Sequence, residues 1–355
     1  MTIPTSDDVT ASWLTETLRS VGHDVTVSDV TQQQIGTGQI GKCIRYTLTF
    51  DGDAGSAPRT LVGKFASDDE TSRQAGILFQ NYLKEVMFYR ELQRRVTIRT
   101  PTCYYAEIEG EGPVFALLLE DMNPAVQGDQ ITGCSAAVAR AAVLELSGLH
   151  APLWNDASIL SVDWIGEPEP ESIRENAERY ETLLPGFLER FGADLTAGQI
   201  DILGKLAGAD SPVTAGSPEP FSLVHIDYRL DNLLIDSLGD EPAVTAVDWQ
   251  SITVGNPLTD VAYFLGAGLL SEERRRCEEE IVRAYYDRIV AAGVTDYGWT
   301  DCWTDYRRGV YSGFWVTVIA SMLVQETERG NEMFLTMARR HSQQAIDLGS
   351  EEFLS

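Results

Sequence analysis

The chain changes character near residue 122, and few folds accommodate that change. Residues 24–66 alternate β-branched and polar side chains around a turn-forming Asp-Gly-Asp-Ala-Gly at 51–55, then end in the apolar run Leu-Val-Gly-Lys-Phe. This pattern predicts a meander of antiparallel strands. Ahead of it, Ser6, Asp7 and Asp8 offer caps for an amphipathic helix carrying Val9, Trp13, Leu14 and Leu18. From Ser72 to Arg95 the spacing of Ile77, Leu78, Tyr82, Val86, Tyr89 and Leu92 is helical, Pro101 stops the helix, and 103–108 and 114–120 return to strand. After Asn123-Pro124, helical spacing dominates, at 136–149, 173–191, 197–206, 258–270, 272–292, 301–326 and 330–348. Only two short strands, 221–225 and 243–247, and a polar Ser/Pro/Gly connector at 209–220 interrupt it. The expected fold is α+β, with a small antiparallel-sheet lobe over residues 1–122 and a larger, mainly helical lobe over 123–355.

Charge narrows the partners. The sequence holds 27 basic against 54 acidic residues, a formal net charge of -27, so a nucleic acid would be repelled. A cation would be attracted, although an acidic surface that serves only solubility gives the same composition. Cys43, Cys103, Cys134, Cys277 and Cys302 lie far apart with no metal-ligand spacing, which predicts reduced thiols and a cytoplasmic protein. The N-terminal stretch lacks the basic start and apolar run of a signal peptide, and the longest nearly apolar stretch, Gly313 to Val324, is too short to cross a bilayer.

Three constellations carry chemistry. Gly36, Gly38 and Gly41 form a GxGxxG that is followed by an alternating strand rather than by a helix. A dinucleotide site needs the helix; a strand-turn-strand setting suits a flap over phosphates, or simply a glycine-rich hairpin. Lys64 sits centrally in an apolar strand, where an unpaired ammonium would be costly, and so calls for an anion. Glu85 on the next helix is the expected partner, with Glu91 as the rival. The third constellation is His225-Ile-Asp227-Tyr-Arg229-Leu-Asp231-Asn232-Leu-Leu-Ile, followed by Asp248-Trp249-Gln250. A strand there delivers Asp227 into a loop, where its carboxylate can orient or accept an acceptor hydroxyl proton. Asn232 and Asp248 supply the hard oxygen ligands that Mg²⁺ prefers, and Arg229 stands where it could neutralise a transferring phosphoryl group. His225 and His150 read as structural histidines, and Asp260 as a brace for the loop.

Together these residues resemble one family. Val-His-Ile-Asp-Tyr-Arg-Leu-Asp-Asn-Leu-Leu-Ile-Asp at 224–236 is similar to the H-x-D-x-x-x-x-N catalytic loop of aminoglycoside phosphotransferases and choline kinases. Residues 247–265 resemble their metal-binding segment with its downstream Pro-x-x-Asp, and the Asp-Trp-Gln triplet and Leu-Leu-Leu-Glu-Asp-Met linker point toward choline-kinase-like and ecdysteroid-kinase-like branches. The resemblance implies a protein-kinase-like bilobal fold and transfer of the γ-phosphoryl of Mg-ATP to a small-molecule hydroxyl. It further implies Asp227 as base, Asn232 and Asp248 as metal ligands, Lys64 as phosphate anchor, and backbone around Glu120 to Met122 holding adenine. Two departures stand out: Ile226 occupies a position where the family usually has Gly, and Trp249 follows Asp248 where a protein kinase has Phe-Gly. A pseudokinase is the alternative reading. A protein kinase is disfavoured, because the metal-binding segment leads to Pro257 and helix without an Ala-Pro-Glu docking segment.

Overall fold

The computed structural model describes residues 2–36, 41–165, 170–209 and 219–354. The chain forms two compact units: residues 1–95, 100–124 and 247–251 make up the first, and 96–99, 125–246 and 252–355 the second.

The first unit is built on an antiparallel sheet of β1 (Val27–Ile35), β2 (Gly41–Phe50), β3 (Thr60–Ala66), β4 (Cys103–Ile108) and β5 (Phe115–Glu120), in the order β1-β2-β3-β5-β4. Side chains alternate across a strand, so Leu61, Gly63 and Phe65 of β3 face the core while Lys64 points to the other side. α1 (Ala11–Ser20) buries Leu14 and Leu18 completely in that core, beside Tyr46, Leu61 and Leu118. Its cap differs from expectation. Thr10 accepts from the Trp13 N–H at 3.2 Å, whereas Ser6–Asp8 form a separate 3-10 turn tied by Thr5 and Asp8.

The helix expected over 72–95 is broken. α2 (Glu70–Leu78) stops, Gln80 turns left-handed at φ 56°, and α3 (Asn81–Met87) restarts before a π-helical turn Phe88–Leu92. The reason is a fold-back: the Tyr82 ring lies where a Cβ on Gly76 would be 2.5 Å away, so only glycine lets the two helices meet. The same ring stacks on Phe115 of β5 at 4.8 Å.

In the second unit, helices α4 (Ala136–His150), α5 (Pro170–Phe191), α6 (Ala197–Ala207), α7 (Leu258–Gly268), α8 (Ser271–Ala291) and α9 (Trp299–Gly309) accompany two small sheets. One pairs β6 (Val126–Gln127), β8 (Leu233–Asp236) and β9 (Ala243–Ala246); the other pairs β7 (Ser222–Val224) with β10 (Thr253–Gly255). The helix expected over 301–326 instead divides after α9 into α10 (Ser312–Trp315), a π-helical turn Val316–Ala320 and α11 (Ser321–Leu323), followed by α12 (Glu328–Asp347). Gly309 touches the Leu258 carbonyl, where a Cβ would be 2.9 Å away, and the Ser312 hydroxyl donates to the Thr259 and Gly309 carbonyls. Both contacts draw the chain onto α7 and end α9. No helix among the described residues is long and apolar enough to cross a membrane. The five cysteines are free thiols.

Candidate active site

In the first unit, Lys64 and Glu85 are brought together. The Lys64 ammonium lies 2.7 Å from Glu85 Oε2 and 2.9 Å from Asp248 Oδ1, with the lysine side chain only 11% exposed. Glu85, not Glu91, is therefore the lysine's partner. Burial opposes the charge on Lys64, but Asp248 and Glu85 more than offset it and raise its pKa. Burial also pushes the Glu85 carboxyl up, with Lys64 pulling it down and Asp248 adding to the rise. One buried cation thus serves two carboxylates, Glu85 buried and Asp248 partly exposed.

Asp248 reaches Lys64 because residues 247–251 join the first unit. Trp249 stacks flat on Phe88 at 3.8 Å, and the Asn81 side chain donates to the Gln250 carbonyl at 2.9 Å. Gln250 also donates to Asp248 Oδ1. The Asp248 backbone sits at φ 69°, in the left-handed region that Asp and Asn tolerate better than most residues.

Gly36 has φ 73° and closes β1, while Gly41 opens β2 directly beside Lys64, where a Cβ would lie 2.9 Å from the lysine Cε. Gly41 therefore leaves room for the lysine stem; Gly38 falls outside the described residues. Cys43, opposite Lys64 in the β2–β3 register, has its thiol pushed up to about 11 by burial and stays protonated. The Glu120 carboxylate is committed to Thr102, accepting from its N–H at 3.0 Å and its hydroxyl at 2.8 Å. Asp121 was missed in the sequence; Arg45 forks onto it at 2.7 and 3.0 Å and holds the linker to β2.

In the second unit, β7 delivers the loop that carries Asp227. Its carboxylate, 25% exposed, accepts from Arg229 Nε at 2.9 and 3.1 Å, from Asn232 Nδ2 at 2.9 Å and from the Tyr263 hydroxyl at 2.9 Å. The structure places the Arg229 guanidinium on Asp227 and, at 2.7 Å, on Asp231, so in this arrangement it ties the loop together. Asp231 in turn accepts from Arg329 at 3.1 Å and from the Gln130 N–H at 3.0 Å. Asn232 spends the donor side of its amide on Asp227, through the carboxylate and the main-chain carbonyl, both at 2.9 Å, and this turns its Oδ1 the other way.

Ile226 shows how the loop is held. It has φ 70°, which a β-branched residue enters only under strain, of about 1–2 kcal/mol. Asp260, 1% exposed, restrains it: its carboxylate accepts from the His225 N–H at 2.6 Å and the Ile226 N–H at 2.9 Å. His150, at the end of α4, stands 3.3 Å from the same carboxylate and 2.7 Å from the Tyr285 hydroxyl. Asp260→Ala leaves two N–H groups without their acceptor and releases a strained residue, so stability should fall by about 3–5 kcal/mol. The urea midpoint reads this directly, and a loss under about 1 kcal/mol would mean that the brace carries no load.

Taken one at a time, the Asp248 carboxylate of the first unit and the Asn232 Oδ1 of the second are hard oxygens of the kind that Mg²⁺ takes.

A fold of this kind, with a lysine–glutamate pair on the sheet and an aspartate–asparagine loop between short strands, defines a kinase-like phosphotransferase class. The chain belongs to the phosphotransferase enzyme family, which it matches over residues 58–301, more than half its length. The resemblance drawn from its motifs therefore holds. Among solved structures, choline kinase from Cryptosporidium parvum Iowa II is similar at a TM-score of 0.57 and 10% identity, over 90% of this chain and 91% of the other. The GDP complex of aminoglycoside 2'-phosphotransferase-IIIa is similar at a TM-score of 0.52 and 14% identity, over 95% and 99% of the two chains. A streptomycin–ATP ternary complex of the aminoglycoside phosphotransferase APH(2")-IIa has a TM-score of 0.50 at 15% identity, over 94% and 99%. At these identities the likeness is one of fold. No curated protein matched.

Proposed function

We propose that the protein is an ATP-dependent small-molecule kinase of the cytoplasm, moving the γ-phosphoryl of Mg-ATP to a hydroxyl. The observation that carries this reading is the Asp227 carboxylate, partly exposed and fixed by Arg229, Asn232 and Tyr263 in a loop whose asparagine follows five residues later. Family membership and the buried Lys64–Glu85 pair support it.

In this reading residues 1–122 form the nucleotide lobe and 123–355 the acceptor lobe. Lys64, oriented by Glu85, anchors the nucleotide phosphates; the glycine motif of Gly36, Gly38 and Gly41 contributes to their binding, and main chain at Glu120 to Met122 takes the base. Asp248 and Asn232 would hold Mg²⁺, which would supply positive charge to offset that of the nucleotide phosphates. Asp227 orients the acceptor hydroxyl. As the bond from the acceptor oxygen to Pγ forms and the bond from Pγ to the bridging oxygen breaks, Asp227 takes the hydroxyl proton and ADP leaves. Catalysis rests on positioning and charge neutralisation rather than covalent chemistry.

The test is release of ADP from Mg-ATP, or of GDP from Mg-GTP, over a panel of hydroxyl compounds: choline, ethanolamine, kanamycin, streptomycin, neutral sugars and sterols. Acceptor-dependent release establishes the activity and its nucleotide. Nucleotide binding with no release on any acceptor would favour a pseudokinase. The net charge of -27 suits a cationic acceptor, whose kcat/KM should then fall steeply with salt.

A further inference from the structure

Tyr263 was not expected at the site. It lies on α7, three residues after Asp260, so one turn of helix presents the loop brace and the tyrosine on the same face. The side chain is 1% exposed, and its hydroxyl donates to Asp227 Oδ1 at 2.9 Å. Behind it, the His341 imidazole stacks on the ring at 5.3 Å with 20° between planes. Gly266 and Gly313 leave the space that the imidazole fills; a Cβ on either would come within 2.6 Å of its Nδ1. Two glycines, a histidine and a tyrosine are thus packed into a wall that aims the tyrosine hydroxyl at Asp227. Burial first, with Arg340 and Arg274 nearby, pushes His341 down to about 3, so this wall is uncharged. Burial and the Asp227 charge push the Tyr263 phenol well above its ordinary range, so it stays a donor.

Counting donors explains what the phenol adds. A carboxylate can rotate about its terminal torsion, which is broad and roughly two-fold. Arg229 Nε bridges both oxygens and Asn232 Nδ2 takes Oδ2, which leaves Oδ1 with no contact of its own until Tyr263 supplies one. The tyrosine comes from the buried side, and Asp227 keeps a quarter of its surface for the acceptor.

We propose that Tyr263 is a positioning residue for phosphoryl transfer, which acts through Asp227 by fixing the rotation of its carboxylate. This rests on the reading of Asp227 as the base. A hydrogen bond to a charged group is worth enough to change turnover by about 10-fold when lost. Tyr263→Phe keeps the ring and its stack on His341, so the fold is retained. ADP release from Mg-ATP is measured with the best acceptor of the panel and with water alone. The expected result is a kcat lowered by about 10-fold with KM for Mg-ATP unchanged, and no further loss when Tyr263→Phe is added to Asp227→Asn. Wild-type kcat in Tyr263→Phe overturns the proposal, as does a loss that multiplies with that of Asp227→Asn. Wild-type kcat in Asp227→Asn instead removes Asp227 as base, a separate failure read from a separate variant.

Discussion

Asp227→Asn should lower turnover by about 10² or more while leaving Mg-ATP affinity within about twofold. The amide cannot take the acceptor proton, and nothing else in the loop replaces it. The His225 side chain is buried and its backbone N–H is held by Asp260, and the Asp231 carboxylate is engaged by Arg229 and Arg329. The geometry adds a second penalty. Asp227 receives donors on both oxygens, from Tyr263 on Oδ1 and Asn232 on Oδ2, so an Asn amide must aim its NH₂ at another donor. That conflict should loosen the loop by about 1–2 kcal/mol. Steady-state kinetics with calorimetry of Mg-ATP binding separates the effects, and wild-type turnover would end the assignment of Asp227 as base.

Asp248→Asn should weaken Mg-ATP binding by about 100-fold or more and erase the difference between titrations with and without Mg²⁺. Asn is the better probe than Ala. Asp248 sits at φ 69°, where Asn is tolerated and Ala adds strain of about 1 kcal/mol that would blur the reading. In the variant Lys64 keeps Glu85 at 2.7 Å, so the phosphate anchor survives while the metal ligand is weakened. ATP affinity without magnesium should accordingly stay level or rise, because one negative charge has left the site. Magnesium dependence that survives intact would show that Asp248 is not the ligand.

The sequence was legible where local rules act alone. The strand alternation around Lys64, the α4, α6, α7 and α8 helices and the return to strand at 103–108 follow from periodicity, because burying one face needs no knowledge of the partner. Breaks in helices were not legible. The turn at Gln80 depends on the Tyr82 ring lying against Gly76, and the end of α9 on Gly309 meeting the Leu258 carbonyl, contacts that no local window contains. The short strands β6, β8 and β10 also escaped notice, whereas β7 and β9, no longer, were legible within the apolar runs at 221–225 and 243–247.

The chemistry divides in the same way. The sequence by itself determined which residue types are present at fixed spacing: the lysine in an apolar strand, the aspartate with an asparagine five residues on, and the aspartate closing the later strand. Those spacings are short, so the backbone between the members of each motif has little freedom. Tertiary structure decided what each group touches. It chose Glu85 over Glu91 for Lys64, carried Asp248 across 184 residues to the same ammonium, turned Arg229 inward onto Asp227 and Asp231, and set Tyr263 behind the carboxylate. A buried charge must find its counter-charge wherever the packed chain places one, and that location belongs to the fold rather than to any stretch of sequence.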